Sequence, residues 1–372
     1  MRVFLLTLGT RGDFELLLSL GCELRRRGHS VLLGSSRFYA ERVEAAGLMW
    51  SQIGEGTHEE LLMLLRSLAN IEDKVQRVRQ VANQWLRPQL AAAQAQISRA
   101  GLMSDYFVSN LKLMLKRGDA VLPGAFVSYD PPGSLRELAR YGGGGQEGRI
   151  LELVAMSKKL VDPDDVWAPE FRFTGFWRSE SRGTWTPPDA LQTFVERGDP
   201  PVVMTMGSMV MFSLDALLNV LTEALRLSGR RGVVVGGWAQ PPALADETLM
   251  AVPEADYEWL FARAACVIHH GGSGTIGAVI RAGRPSVLLP QIPAQEAFAR
   301  LLMRAKLASG SFDTRQLAPQ ALAAAIDRAA TDPELSESAL RWRDLARAEG
   351  GVATAAGLIE QHWSQINAGT TV

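Results

Sequence analysis

Cysteine is almost absent from this chain of 372 residues: Cys22 and Cys266 are the two it has. Both lie in apolar segments far apart in sequence, which favours buried free thiols in a reducing compartment over a disulfide. Neither belongs to a metal-type Cys pair. A charge of one sign is also missing. With 39 basic and 40 acidic side chains the formal net charge is −1, and no long basic block is present. That argues against nucleic acid as a main partner. No stretch reaches about 18 uninterrupted apolar residues, so no membrane-spanning helix is expected. Met1–Leu8 is too short for a signal-peptide core and runs straight into a turn, so a cytoplasmic chain is expected. His58 and His362 have no partner spacing that suggests a metal. What remains is a chain with 47% apolar residues, ample for packed cores, and a length that suggests two domains.

The chain opens with a βαβ pattern. Arg2–Leu8 reads as a buried strand, Gly9-Thr-Arg-Gly-Asp13 as a turn, Phe14–Arg27 as an amphipathic helix, and Ser30–Gly34 as a second strand. This order implies a parallel sheet with helices on its faces. Helices are expected over Phe38–Ala46, His58–Leu68 and Val75–Ala100, the last interrupted near Pro88. Strands are expected at Asp105–Ser109, Ala125–Tyr129 and Leu151–Ala155. Gly142–Gly145 reads as a linker or a mobile lid, and Asp162-Pro-Asp164 as a surface turn. A polar stretch with prolines, Arg178–Asp189, reads as an interdomain linker.

The βα pattern then repeats. Pro201–Met206, Gly232–Gly236, Thr248–Val252 and Ser286–Leu289 are strand candidates. Helices are expected at Ala190–Arg197, Leu214–Leu227, Tyr257–Ala264, Ala294–Lys306, Leu317–Ala330, Glu334–Glu349 and Thr354–Ile366. The expected organisation is an N-terminal domain over 1–177, a linker over 178–189 and a C-terminal domain over 190–350. Residues 351–372 would form a helix packing back toward the first domain. A ligand is expected in the cleft between two such halves.

One stretch organises the second half: Cys266-Val-Ile-His-His-Gly-Gly-Ser-Gly-Thr275. It reads as strand, glycine turn, helix. Gly271, Gly272 and Gly274 let the backbone approach a ligand closely. The helix that starts near Ser273 points unpaired N–H groups and a partial positive charge at the turn, which makes it a ready anion site. His270 stands where a side chain adds a further donor. The alternative is an ordinary βα loop whose glycines serve geometry alone.

Taken together, Gly9–Asp13, Arg27-Gly-His-Ser-Val31, Thr174-Gly-Phe-Trp177, Pro201–Met209, Glu258–Thr275 and Arg281-Ala-Gly-Arg-Pro285 resemble the motifs of bacterial family 1 glycosyltransferases. The resemblance is to the members that glycosylate sterols and antibiotic aglycones. It implies an α/β chain of the GT-B fold, two Rossmann-like βαβ domains facing a central cleft. It also implies an inverting, metal-independent hexosyltransferase that needs no cofactor beyond a UDP- or dTDP-linked sugar. A hexose or deoxyhexose would pass to a hydroxyl of a lipophilic small molecule, a natural-product aglycone or a sterol-like acceptor. The enzyme would be a monomer or homodimer, with peripheral membrane contact open to it.

Site residues follow from the same resemblance. The diphosphate would sit on Gly272, Ser273, Gly274 and Thr275, with His270 reaching a phosphate as an imidazolium and Gly207 and Ser208 approaching from the neighbouring strand end. The backbone from Val252 to Tyr257 would hold the base, with Trp238 near the nucleoside. Thr10 and Gly12 would line the acceptor side, and Asp13 would be the catalytic base. Each residue also has a plain structural role open to it. Asp13 or Ser208 would cap a helix, Trp238 would be packing, and Trp259 a core anchor. At Asp13 the helix dipole is expected to lower the pKa.

The sequence departs from the family pattern after Pro290. Members carry an acid followed by Gln there, and the acid binds sugar hydroxyls. Here the pair is Ala294-Gln295, followed by Glu296, so Gln295 and Glu296 are the sugar-reading candidates. Two other readings stay open: a GT-B-fold sugar-nucleotide epimerase or hydrolase, and a non-catalytic sugar-nucleotide-binding partner.

Overall fold

A computed structural model describes residues 1–110, 116–117, 120–121, 123–128, 150–161, 171–178, 185–211, 213–239 and 247–369. The Gly142–Gly145 run, Asp162-Pro-Asp164 and residues 179–184 of the expected linker lie outside the described residues. The chain forms two compact units. One holds Met1–Leu61, Arg79–Glu180 and Glu349–Val372, and the other Leu62–Val78 and Ser181–Ala348.

The first unit is built on a seven-stranded sheet. Its order is Met49–Gln52, Ser30–Ser35, Arg2–Leu6, Tyr106–Ser109, Gly124–Ser128, Ile150–Val154 and Phe171–Phe173. Neighbouring strands pair in parallel, as the βαβ opening requires. Phe4, Leu6, Phe107 and Phe126 face the helix Arg87–Leu102, whose Leu90, Ala93 and Ile97 pack on them. The expected break near Pro88 takes another form. A π-helical turn at Ala82–Leu86 leads directly into that helix, with the proline in its first turn. Pro88 has no N–H to give the carbonyls of the preceding turn, and the wider π turn takes up that irregularity while the backbone stays helical. The last helix, Gly351–Asn367, packs on Arg11–Arg26 in the same unit. Arg27 pairs with Glu360 at 3.0 Å, and the buried Tyr106 hydroxyl meets His362 Nδ1 at 2.6 Å. His29 also bonds Glu360, at 2.8 Å, a structural role.

The second unit has a six-stranded parallel sheet. Its order is Leu249–Val252, Gly232–Val235, Val202–Thr205, Val267–His269, Ser286–Leu288 and Ala308–Ser311. Val202, Met204 and Val234 face one apolar layer, and Val203, Val233 and Val235 face the other. Burial of both faces is why these strands read as unbroken apolar runs. Trp259 packs against the second layer as a core anchor, beside Trp185 and under Arg263. Cys266 is fully buried in the first layer, where desolvation pushes its thiol pKa up to about 12 and makes it inert. Among the described residues no helix is long and apolar enough to cross a membrane.

Candidate active site

In both sheets the strand order reverses beside the first strand of the unit. In the first, Arg2–Leu6 lies between Ser30–Ser35 and Tyr106–Ser109; in the second, Val202–Thr205 lies between Gly232–Val235 and Val267–His269. Loops leaving the carboxyl ends of the two strands at such a reversal diverge to opposite faces and leave a crevice, where ligands of open parallel sheets bind. Asp13 follows one of these ends, and the His270 turn follows another. Each unit is taken on its own below.

In the first unit the helix begins at Arg11, three residues earlier than its apolar pattern suggests, with Thr10 as N-cap. Asp13 is therefore the third helical residue and not the cap, closing a capping box with Thr10. Its Oδ2 accepts from the Thr10 backbone N–H at 2.7 Å and hydroxyl at 3.2 Å. Its Oδ1 accepts from Asn110 Nδ2 at 3.0 Å. Parallel pairing of Leu6 with Ser109 brings Asn110 there from 97 residues away. Gly9 makes room for the carboxylate, since a Cβ at Gly9 would overlap Asp13 Oδ2. Gly12 is exposed, with nothing close to its Cα face.

The expected fall in the Asp13 pKa is overturned. Desolvation pushes it up to about 6, against opposing hydrogen bonds from Thr10 and Asn110. A helix terminus stabilises a carboxylate by no more than about 2 kcal/mol, and loss of solvent outweighs it here.

In the second unit the strand Val267–His269 ends at two histidines with different tasks. His269 is wholly buried. Its Nδ1 accepts from the Gly271 N–H at 3.2 Å, so Nε2 carries the proton and meets Ser286 Oγ at 3.0 Å. Burial drives its pKa down to about 3, and the ring is a neutral brace for the turn. His270 lies between two glycines. A Cβ on Gly207 would stand 3.0 Å from its Cε1, and one on Gly272 would overlap its Nε2. Its Nδ1 is buried with no hydrogen-bond partner among the described residues. Desolvation lowers its pKa to about 4, against a hydrogen bond to the Thr205 carbonyl. The ring is thus a neutral imidazole at pH 7 and not the expected imidazolium.

The helix Ser273–Ala282 starts beside it, with Gly272 as N-cap and the first ladder bond from Ile276 N–H to Gly272 O at 2.9 Å. The backbone N–H groups of Ser273, Gly274 and Thr275 therefore have no partner within the helix. Thr275 is buried, and Gly274 is exposed. Gly207 is held from two sides. Its N–H donates to Thr205 Oγ1 at 3.2 Å, and its carbonyl accepts from Trp238 N–H at 3.1 Å. Ser208 is buried beside it and does not cap the next helix, because Ser213 does that through the Ala216 N–H.

The nucleoside candidates already have partners within the unit. The Val252 carbonyl already accepts from Gly236 N–H at 2.9 Å, as part of the sheet edge. The Tyr257 hydroxyl meets Thr205 Oγ1 at 2.8 Å, and its ring stacks on Phe261. Tyr257 thus braces the Gly207 turn from within. Trp238 is 8% exposed, buried at the end of its strand. At the sugar end, Gln295 is buried and its Oε1 accepts from Gln291 N–H at 2.8 Å. Glu296 is partly exposed and paired with Lys74 at 2.7 Å. Sequence reasoning missed Asn110 and Lys74 as site residues, since each meets its partner only through sheet pairing or packing.

Gly272→Ala is an expected loss-of-binding variant. The added methyl must displace the His270 ring, so nucleotide affinity should fall by about tenfold or more. Titration calorimetry with UDP and dTDP reads this, and wild-type affinity would detach His270 from the anion turn.

Residues 3–106 match the glycosyltransferase family 28 N-terminal domain. The O-mycaminosyltylonolide 6-deoxyallosyltransferase of Streptomyces fradiae is 28% identical over 98% of both chains. A sterol 3-beta-glucosyltransferase of Neosartorya fischeri is 32% identical over 39% of this chain, a span of only 11% of that much longer protein. Among solved structures, CalG4, the calicheamicin glycosyltransferase, superposes with a TM-score of 0.71 at 19% identity over 98% of both chains. The two parallel-sheet units have the GT-B fold of these solved structures, residues 3–106 carry a glycosyltransferase N-terminal domain, and the similar proteins are glycosyltransferases.

Proposed function

We propose that the chain is an inverting, metal-independent transferase that moves a hexose or deoxyhexose from a UDP- or dTDP-sugar to a hydroxyl of a lipophilic small molecule. The observation that carries this reading is His270. A buried imidazole stands beside the N-terminus of the Ser273–Ala282 helix, its Nε2 edge toward Gly272 and its Nδ1 without a partner among the described residues, between two glycines that leave the ring room. A diphosphate there would accept from the N–H groups of Ser273, Gly274 and Thr275, and from the imidazole when its one proton sits on the nitrogen facing the diphosphate and not on the one facing the Thr205 carbonyl. As the bond from the sugar C1 to the diphosphate breaks, the charge gathering on the leaving group meets donors already oriented toward it. These donors do the work that a metal ion does in other sites.

The acceptor oxygen attacks C1 from the face opposite the diphosphate, which inverts that centre. Its proton passes to Asp13 Oδ1, since two donors from Thr10 already hold Oδ2. A carboxylate whose pKa lies near 6 is a stronger base than an ordinary aspartate and is still ionised at pH 7. The name of the Streptomyces fradiae relative, an O-mycaminosyltylonolide 6-deoxyallosyltransferase, supports a deoxyhexose donor and an acceptor like O-mycaminosyltylonolide. The sterol glucosyltransferase relatives support a rigid, apolar alternative acceptor.

The test is a matrix of UDP- and dTDP-sugars against macrolide aglycones and sterols, read as released nucleotide and glycosylated product. Product that depends on added acceptor, with inverted anomeric configuration and unchanged by EDTA, is the expected result. Donor conversion without acceptor would instead make the chain an epimerase or hydrolase. Donor binding with no turnover across the matrix would make it a binding partner only.

A further inference from the structure

The segment Leu62–Val78 is N-terminal in sequence but belongs to the second unit in space. Three side chains fix it there. Lys74 Nζ lies 2.7 Å from Glu296 Oε1 and 3.7 Å from Asp313 Oδ2. The buried Arg77 guanidinium donates to the carbonyl of Ile71 at 2.6 Å and to that of Gln291 at 3.2 Å. Arg315 reaches the Glu72 carbonyl at 3.2 Å. The Lys74 side chain is only 14% exposed. An ammonium so enclosed has three N–H groups to place, and the Glu296 carboxylate takes one of them.

The position of this pair gives it meaning. Gln291 follows the strand Ser286–Leu288, which pairs with Val267–His269, and both strands run toward the same edge of the sheet. Glu296 lies in the first turn of the helix Pro293–Arg304. Its neighbour Gln295 backs the anion turn, with its Cβ 3.5 Å from where a Cβ on Gly271 would be. Two adjacent residues of this stretch therefore touch the turn on one side, through Gln295, and Lys74 on the other, through Glu296. Ala294, at the position of the family's sugar-reading acid, has no polar side-chain atom. The Gln295 oxygen is engaged by Gln291.

We propose that Lys74 is a donor-specificity residue: with Glu296 it forms a hydrogen-bonding wall for the sugar of the bound nucleotide sugar. This rests on the reading of Gly272–Thr275 as the diphosphate site. A lone carboxylate only accepts, so it recognises only the O–H of a sugar hydroxyl. A lysine–glutamate pair both donates and accepts, and it serves the lone pairs of that hydroxyl as well. The segment that carries Lys74 thus supplies in space what Ala294 lacks in sequence.

The test separates the sugar from the nucleotide. Titration calorimetry of the full chain with UDP, UDP-glucose, dTDP and dTDP-glucose compares the wild type with Lys74→Met and Glu296→Gln. Each variant should keep its affinity for the free nucleotides within about twofold and lose about tenfold or more for at least one sugar nucleotide. An equal loss for nucleotide and sugar nucleotide means that the segment only props up the site, and it overturns the proposal; so does unchanged affinity for all four. Should Lys74→Met unfold, Lys74→Arg carries the same comparison. A planar guanidinium keeps the charge and alters the hydrogen bonds offered to the sugar. A wild-type chain that binds none of the four overturns the diphosphate-site reading first, a result distinct from every variant outcome.

Discussion

Asp13→Asn is expected to lower turnover by about 10²–10⁴-fold, the range for loss of a positioned general base, while donor affinity stays at its wild-type value. The geometry sets this up. Thr10 fixes Oδ2 with two hydrogen bonds and Asn110 steadies Oδ1 with one. Asparagine keeps the shape and an acceptor for the Thr10 N–H, but it cannot take a proton. In the wild type, burial raises the pKa from 3.8 to about 6. Hence kcat/KM should climb as pH rises through 6 and level off above it, once Asp13 is ionised. His270, with its pKa near 4, stays neutral across that window and adds no second limb there.

Stability should move the other way. A carboxyl group whose folded pKa lies above its unfolded value favours folding most when protonated, below about pH 4, and loses that contribution as pH rises through 6. At pH 8 the wild type therefore bears a buried charge that Asp13→Asn removes. The variant should melt at the same temperature or higher. Turnover across pH 5–9 and thermal melts at pH 4 and pH 8 check both halves. Unchanged turnover in the variant would remove Asp13 from the chemistry.

Ser273→Asp should reduce donor affinity by about 100-fold without harming the fold. Ser273 is the first residue of the Ser273–Ala282 helix and is partly exposed. An aspartate at a helix N-terminus is itself favourable, by about 0.3–1 kcal/mol, so thermal stability should hold or rise. The same carboxylate would stand where the diphosphate is expected. Repulsion of about 3 kcal/mol between like charges some 5 Å apart at an effective dielectric near 20 corresponds to about two powers of ten in Kd. Calorimetry with UDP and dTDP, beside a thermal melt, reads the two effects separately. Wild-type affinity in a stable variant would rule out the anion site at this helix.

Much of this was legible in the sequence because it is local. Apolar runs near Val3, Val202 and Ile268, each followed by glycine and then an amphipathic stretch, specify strand, turn and helix within about twenty residues. Glycines before Ser273 mark a tight turn that leads into a helix, and Trp259 read correctly as an anchor. Boundaries were less secure where polar residues begin a helix. Arg11-Gly-Asp13 gave no apolar signal, yet Thr10 and Asp13 close a capping box that starts the helix three residues early.

The sequence by itself determined two βα halves and the glycine turn at Gly271–Thr275, because those depend on backbone propensity and hydrophobic period, while the candidacy of Asp13 came from the resemblance of Gly9–Asp13 to a family motif. The tertiary structure alone decided which groups meet and how they are charged. Strand order carried Asn110 to Asp13 across 97 residues, and packing carried Lys74 to Glu296 across 222. It also tied the Tyr257 hydroxyl to Thr205. Burial, which no local pattern records, raised the Asp13 pKa against the helix dipole and left His270 neutral. Proton affinity at both residues depends on how much water the whole fold excludes, and that quantity exists only once the chain is packed.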